Sequence, residues 1–150
     1  MASLKALLSA LTLLALTVDA SSGPGYSNYN YDLSGQQLTD LYNSPVYKAE
    51  WMVRPFGSSS STFGPLSHTG VRVTLADGAQ WLIHKGQDYG ISSDTVVTSA
   101  RHMSSAWKPV FHLSRQFNGR KKVADFVKRG GETYNALFNC HVASITMMLQ

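Results

Sequence analysis

Cysteine is the scarcest reactive residue in this chain: Cys140 is the only one among 150 residues. Small secreted domains usually hold even numbers of cysteines in disulfides. A lone thiol excludes an internal disulfide framework and any zinc site of the C-x₂-C kind. Carboxylates are also few, nine against thirteen Lys and Arg, for a formal charge of +4. That mild excess suits anionic surfaces without requiring one. Internal repeats, Gly-rich phosphate loops and Asn-x-Ser/Thr glycosylation acceptors are all missing.

Long apolar runs are missing too, apart from residues 6–18, an apolar stretch relieved only by Ser9, Thr12 and Thr17. It follows a single Lys5 and leads to small residues at Val18 and Ala20, and it is shorter than the roughly 20 apolar residues a membrane span needs. The pattern predicts a secretory signal peptide over residues 1–20, with the mature chain starting at Ser21. The expected product is extracellular and monomeric, with no transmembrane segment. About 130 residues then remain, the size of one domain with one core.

Residues 21–44 read as a flexible N-terminal arm with a short helix, and residues 45–150 as the main domain. The arm begins with Ser, Gly, Asn and Tyr over residues 21–30. Ser34 can cap a helix that puts Leu38, Leu41 and Tyr42 on one side, ending near Asn43-Ser44-Pro45. Residues 46–54 alternate as a strand, and residues 56–64, with four consecutive serines, read as a loop.

The clearest local signal is a β-hairpin. Val71, Val73 and Leu75 alternate with polar residues, Ala76-Asp77-Gly78 supplies turn chemistry, and Gln80 to His84 returns. Its turn decides which side chains meet. A two-residue Asp77-Gly78 turn would put Ala76 against Ala79 and send His68 and His84 to opposite faces. A three-residue loop with Gly78 left-handed would pair Leu75 with Ala79. His84 would then face Gly70, diagonal to His68 on one face.

Beyond Gly86 the signal weakens. Residues 93–107 read as a strand and a helical turn, residues 109–113 as a short strand, and residues 121–129 as a helix stopped by Gly130-Gly131. The run from Cys140 to Leu149 has no breaker, and Asn139 is a favoured N-cap. It reads as a C-terminal helix with the cysteine in its first turn. The expected fold class is α+β, a small antiparallel sheet packed on that helix.

A thiol becomes nucleophilic when its pKa falls, and a helix N-terminus beside an imidazole favours that. Cys140 supplies the thiol. His68 can act as base and His84 can orient it. His141, next in the chain, points about 100° away from Cys140 around the helix and reads as a surface or packing residue. A zinc site from Cys140, His141, His68 and His84 fits poorly, since neighbouring ligands on one helix suit a tetrahedral site badly; no cofactor or metal is expected. His102, Met103, Trp107 and His112 read as core or rim. The basic residues Arg120, Lys121, Lys122, Lys128 and Arg129 read as the wet face of a helix. They lack interleaved aromatics, so a nucleic-acid partner is not expected.

His68-Thr69-Gly70 opening a strand, Trp81-Leu82-Ile83-His84 closing the return strand, and Asn139-Cys140 at a late helix start form an ordered set. That order resembles the circularly permuted papain-like thiol enzymes, the NlpC-type hydrolases and the lecithin:retinol acyltransferase group, over residues 65–150. The resemblance implies a permuted papain-like domain with Cys140 as nucleophile, His68 as base and His84 as orienting residue. It departs from the acyltransferase group after the cysteine, where that group has Glu-His and an aromatic and this chain has His141-Val142-Ala143. The implied activity is cysteine hydrolysis of an amide or ester, with a peptide or cell-wall amide favoured over a lipid. The other reading is a non-catalytic secreted binding or defence protein on the same fold. A cysteine buried from solvent would favour that second reading.

Overall fold

The computed structural model describes residues 33, 35–56, 60, 64–86 and 94–150. The expected signal peptide, the arm over residues 21–30, the Ser34 cap and most of the serine-rich loop lie outside them.

Helix α1 (Gly35–Asn43) buries Leu38, Leu41 and Tyr42, the trio that helical spacing puts on one side. Burial of the Tyr42 phenol pushes its pKa up to about 12. Asn43 Nδ2 and Ser44 Oγ donate to the carbonyls of Thr39 and Asp40, and Pro45 turns the chain out of the helix. Strands β1 (Pro45–Pro55), β2 (Ser67–Leu75), β3 (Gln80–Lys85), β4 (Thr95–Ser99) and β5 (Lys108–Lys122) follow, then helices α2 (Val123–Gly130) and α3 (Cys140–Leu149). The five strands form one antiparallel sheet in the order β4-β3-β2-β1-β5. The fold is therefore α+β, with Cys140 opening the C-terminal helix.

The two sheet faces are unlike. Ala49, Val71, Val73, Ile83 and Val97 pack with Phe126, Ala143 and Met147 of α2 and α3 in the main core. On the other face a smaller cluster joins Met52, Leu82 and Trp107, with Met103 against it. Each fully buried side chain of this size contributes about 1.5–3 kcal/mol, so the helical face carries most of the stability.

Two expectations need correction. The strand expected over residues 109–113 runs from Lys108 to Lys122, and its pairing with β1 slips between Val46 and Lys48 and between Glu50 and Met52. His112 (φ 67) and Asn118 (φ 52) take left-handed backbone on β5. Such excursions break the period-two pattern. Helix α2 starts at Val123, because Asp125 Oδ2 accepts the Lys122 N–H at 2.8 Å. Arg120, Lys121 and Lys122 thus lie on strand β5. Only Lys128 and Arg129 belong to the helix.

Helix α3 has the expected cap. Asn139 Oδ1 accepts the N–H groups of His141 (3.0 Å) and Val142 (3.2 Å). Two orphan donors of the first turn are satisfied this way. Replacing Asn139 by alanine is expected to lower stability by about 1 kcal/mol, read as a denaturation midpoint shift at unchanged slope.

Candidate active site

The β2–β3 hairpin takes the three-residue loop. Leu75 N donates to Ala79 O at 2.9 Å, Gly78 N donates to Leu75 O at 3.1 Å, and Gly78 has φ +83. Asp77 Oδ1 accepts the Ala79 N–H at 2.9 Å, which fixes the turn. Gly70 therefore faces His84. His68 lies two residues along on the same side, and its Nε2 stands 3.0 Å from His84 Nδ1, a hydrogen bond between two imidazoles.

That pair is buried, His68 at 3% exposure and His84 at 1%. Gly70 makes room for it: a Cβ there would stand 2.9 Å from His84 Cβ and 3.1 Å from the Ile83 carbonyl. The spacing His68-Thr69-Gly70 thus has a steric reason. Trp107 meets both rings edge-on, with centroids 5.5 Å from His68 and 6.2 Å from His84. Arg54 pairs across from His68, and its guanidinium lies 5.3 Å from the Trp107 ring centroid. Burial holds the His68 pKa well below the ordinary 6.5, helped by the nearby charges of His84, Arg54 and His141. At neutral pH His68 is a neutral imidazole, able to accept a proton.

Cys140 begins α3 and is 4% exposed. One turn later Ser144 Oγ donates to Thr69 Oγ1 at 3.1 Å, so α3 lies over the face bearing Thr69. By strand alternation that is the face away from the imidazole pair. The helix start reaches the end of β2, where His141 Nε2 is 3.2 Å from the Ser67 carbonyl oxygen. The structure thus joins His68 to His84 and sets the first turn of α3, with Cys140, at the end of β2 where His68 sits. Among the described residues no hydrogen bond links Cys140 to His68.

Three residues beside the pair carried no functional signal in the sequence. Trp107 read only as core or rim, and its place depends on how the chain returns from β4 to β5. Arg54 is brought opposite His68 only by the β1–β2 register, which no local pattern reveals. His141, read as surface or packing, is half-buried and meets the Ser67 carbonyl. His112 is exposed on β5, away from any core. A cleft of about 600 Å³ runs along the histidine face, with Met52, Arg72, Trp81, Arg101 and Trp107 among its walls. Trp107 stands between this cleft and the imidazoles, touching both.

Among the described residues, no group of three or more His, Cys, Asp and Glu side chains is placed to hold a metal ion. Nor is any helix among them long and apolar enough to cross a membrane. Comparison of the chain with family models, curated proteins and solved structures finds no match.

Proposed function

We propose that the chain is a secreted cysteine hydrolase of the permuted papain-like kind, with Cys140 as nucleophile, His68 as general base and His84 as the residue that orients it. The observation that carries this reading is the buried 3.0 Å bond between His68 Nε2 and His84 Nδ1. With the proton on His68 Nε2 donated to His84, Nδ1 is the unprotonated nitrogen of the His68 ring and would be the atom that takes the thiol proton. That is the tautomer a base needs.

In the proposed reaction His68 takes the thiol proton, and the Cys140 sulfur bonds to the carbonyl carbon of an amide or ester. The tetrahedral oxyanion collapses to a thioester, and the amine or alcohol leaves with the proton from His68. Water then attacks the thioester with His68 again as base, releasing the acid and the free thiol. Asn139 already occupies the His141 and Val142 N–H groups, so the Cys140 N–H is the helix-start donor for the oxyanion.

The burial of Cys140 favours a second reading, a binding or defence protein that keeps the fold without turnover. An activated ester, p-nitrophenyl acetate, separates the two. The hydrolase reading expects a burst of nitrophenolate equal to the protein present, with the acetyl group on the Cys140 peptide in mass spectra. Cys140→Ala should show neither. A folded parent protein that never carries acetyl on Cys140 would overturn the hydrolase and favour the binding protein.

A further inference from the structure

Arg54 and Trp107 are the two side chains around the imidazole pair that the proposed reaction leaves without a task. Trp107 is 6% exposed and contacts both rings edge-on. The same indole lines the cleft, so it lies against the imidazole pair and bounds the cleft at once. Packed edge contacts of this kind also limit ring rotation, so both imidazoles are held to one orientation. Arg54 reaches the same indole from the neighbouring strand, with its Nη1 donating to the Pro55 carbonyl at 3.3 Å. A guanidinium is planar and weakly hydrated, and it stacks on aromatic faces. It is therefore a fixed positive charge beside a base.

We propose that Trp107 is a positioning residue that braces His68 against His84, and that Arg54, held over its indole, keeps a second positive charge out of the site. His68 then rests as a neutral base. The inference rests on the hydrolase reading for the use made of His68, while the bracing itself is a property of the fold. The groups that act on the charge of His68 are His84 on β3, Arg54 on β1 and His141 at the start of α3. The Cys140 thiol adjoins His141 in the same turn. Of these, Arg54 alone is a guanidinium, and the other two are imidazoles.

The test reads the imidazoles directly, in the full-length secreted protein. Nitrogen-15 imidazole spectra are recorded from pH 4 to pH 8, with the His68 signals assigned by their loss in His68→Gln. In the parent protein His68 should show one tautomer and titrate well below 6.5. Arg54→Gln should raise its midpoint, and Arg54→Lys, which keeps the charge, should stay near the parent value. Trp107→Ala should replace the single tautomer by a mixture, while Trp107→Phe should retain it. An Arg54→Gln protein that titrates like the parent would overturn the role of the charge. A folded Trp107→Ala protein with the parent tautomer would overturn the bracing; if that variant fails to fold, the same tautomer comparison is made on Trp107→Leu. The expected shifts with an inert Cys140 would defeat the hydrolase reading alone.

Discussion

Replacing His68 by alanine is expected to slow alkylation of Cys140 by iodoacetamide at pH 6 by about 100-fold, with a much smaller effect at pH 9. An ordinary thiol with a pKa near 8.5 is only about one part in 300 thiolate at pH 6, so its reactivity there is low. The thiolate is the reactive form, and in the parent protein a neutral His68 supplies it by taking the thiol proton as the sulfur attacks, whereas His68→Ala leaves no base to do so. Because burial holds the His68 pKa well below 6.5, the ring is free of its second proton near neutral pH and can take the one from sulfur. At pH 6 the parent protein should therefore react faster than His68→Ala, and the difference should narrow at pH 9, where base assistance counts for less. His84→Ala should fall between them, since it misplaces the base without deleting it. His141→Ala should change the rate little, because its ring is engaged with the Ser67 carbonyl. Equal rates for parent and His68→Ala at pH 6 would end the Cys140–His68 dyad, and the binding-protein reading would replace it.

The same buried imidazole sets a pH dependence of stability. In the unfolded chain His68 takes a proton near 6.5, but in the folded protein only well below that value. The unfolded state therefore binds more protons in between. Stability is full above pH 6.5 and declines as the pH falls toward the folded-state value. Alkylation rates below pH 6 should accordingly be read beside a folding signal at each pH.

The hairpin was legible because its turn chemistry and strand pattern agree. Val71, Val73 and Leu75 name the inward side, and Gly78 is the residue able to take φ +83 in a three-residue loop. The sequence leaves a two-residue turn open beside the three-residue loop, and it is the loop the structure takes that sets Gly70 opposite His84. The C-terminal helix was legible for a similar reason, since Asn139 caps it and nothing breaks it before Gln150. Strand β5 was not. Its two left-handed residues interrupt the alternation, and as an edge strand it buries only Phe117 among its fifteen residues. A sequence pattern reports burial, and an exposed, bulged edge strand has little to report. The neighbours of His68 were hidden for another reason. Arg54 and Trp107 are distant in sequence from His68 and come together only once β1 lies beside β2 and the chain has crossed back to β5. The relation of Cys140 to His68 belongs to the same class, because it depends on how far α3 overruns the end of β2.

Gly70→Ala is expected to destabilise the protein by about 1–3 kcal/mol and to abolish the His68–His84 bond in whatever folded protein remains. Most glycine substitutions in a strand are mild or even favourable, because a side chain stiffens the unfolded chain. Gly70 differs because of what stands opposite. The added methyl would lie 2.9 Å from His84 Cβ, 3.0 Å from Leu82 Cδ1 and 3.1 Å from the Ile83 carbonyl oxygen. Leu82 Cδ1 can swing away, but a Cβ and a carbonyl oxygen move only with their backbone. Relief therefore requires β2 and β3 to separate locally, between strands that sit in the middle of the sheet. The displaced residue is His84, so the strain falls on the residue that orients the base. Gly78→Ala is the matched control: its added Cβ meets nothing within 4 Å, and the cost is only that of a positive φ at 83°, about 1 kcal/mol. Denaturant unfolding should rank the two variants with Gly70→Ala the less stable, and only Gly70→Ala should lose the single His68 tautomer in imidazole spectra. If Gly70→Ala unfolded like the parent and kept that tautomer, the tight fit between Gly70 and His84 would not be what holds the imidazole pair together.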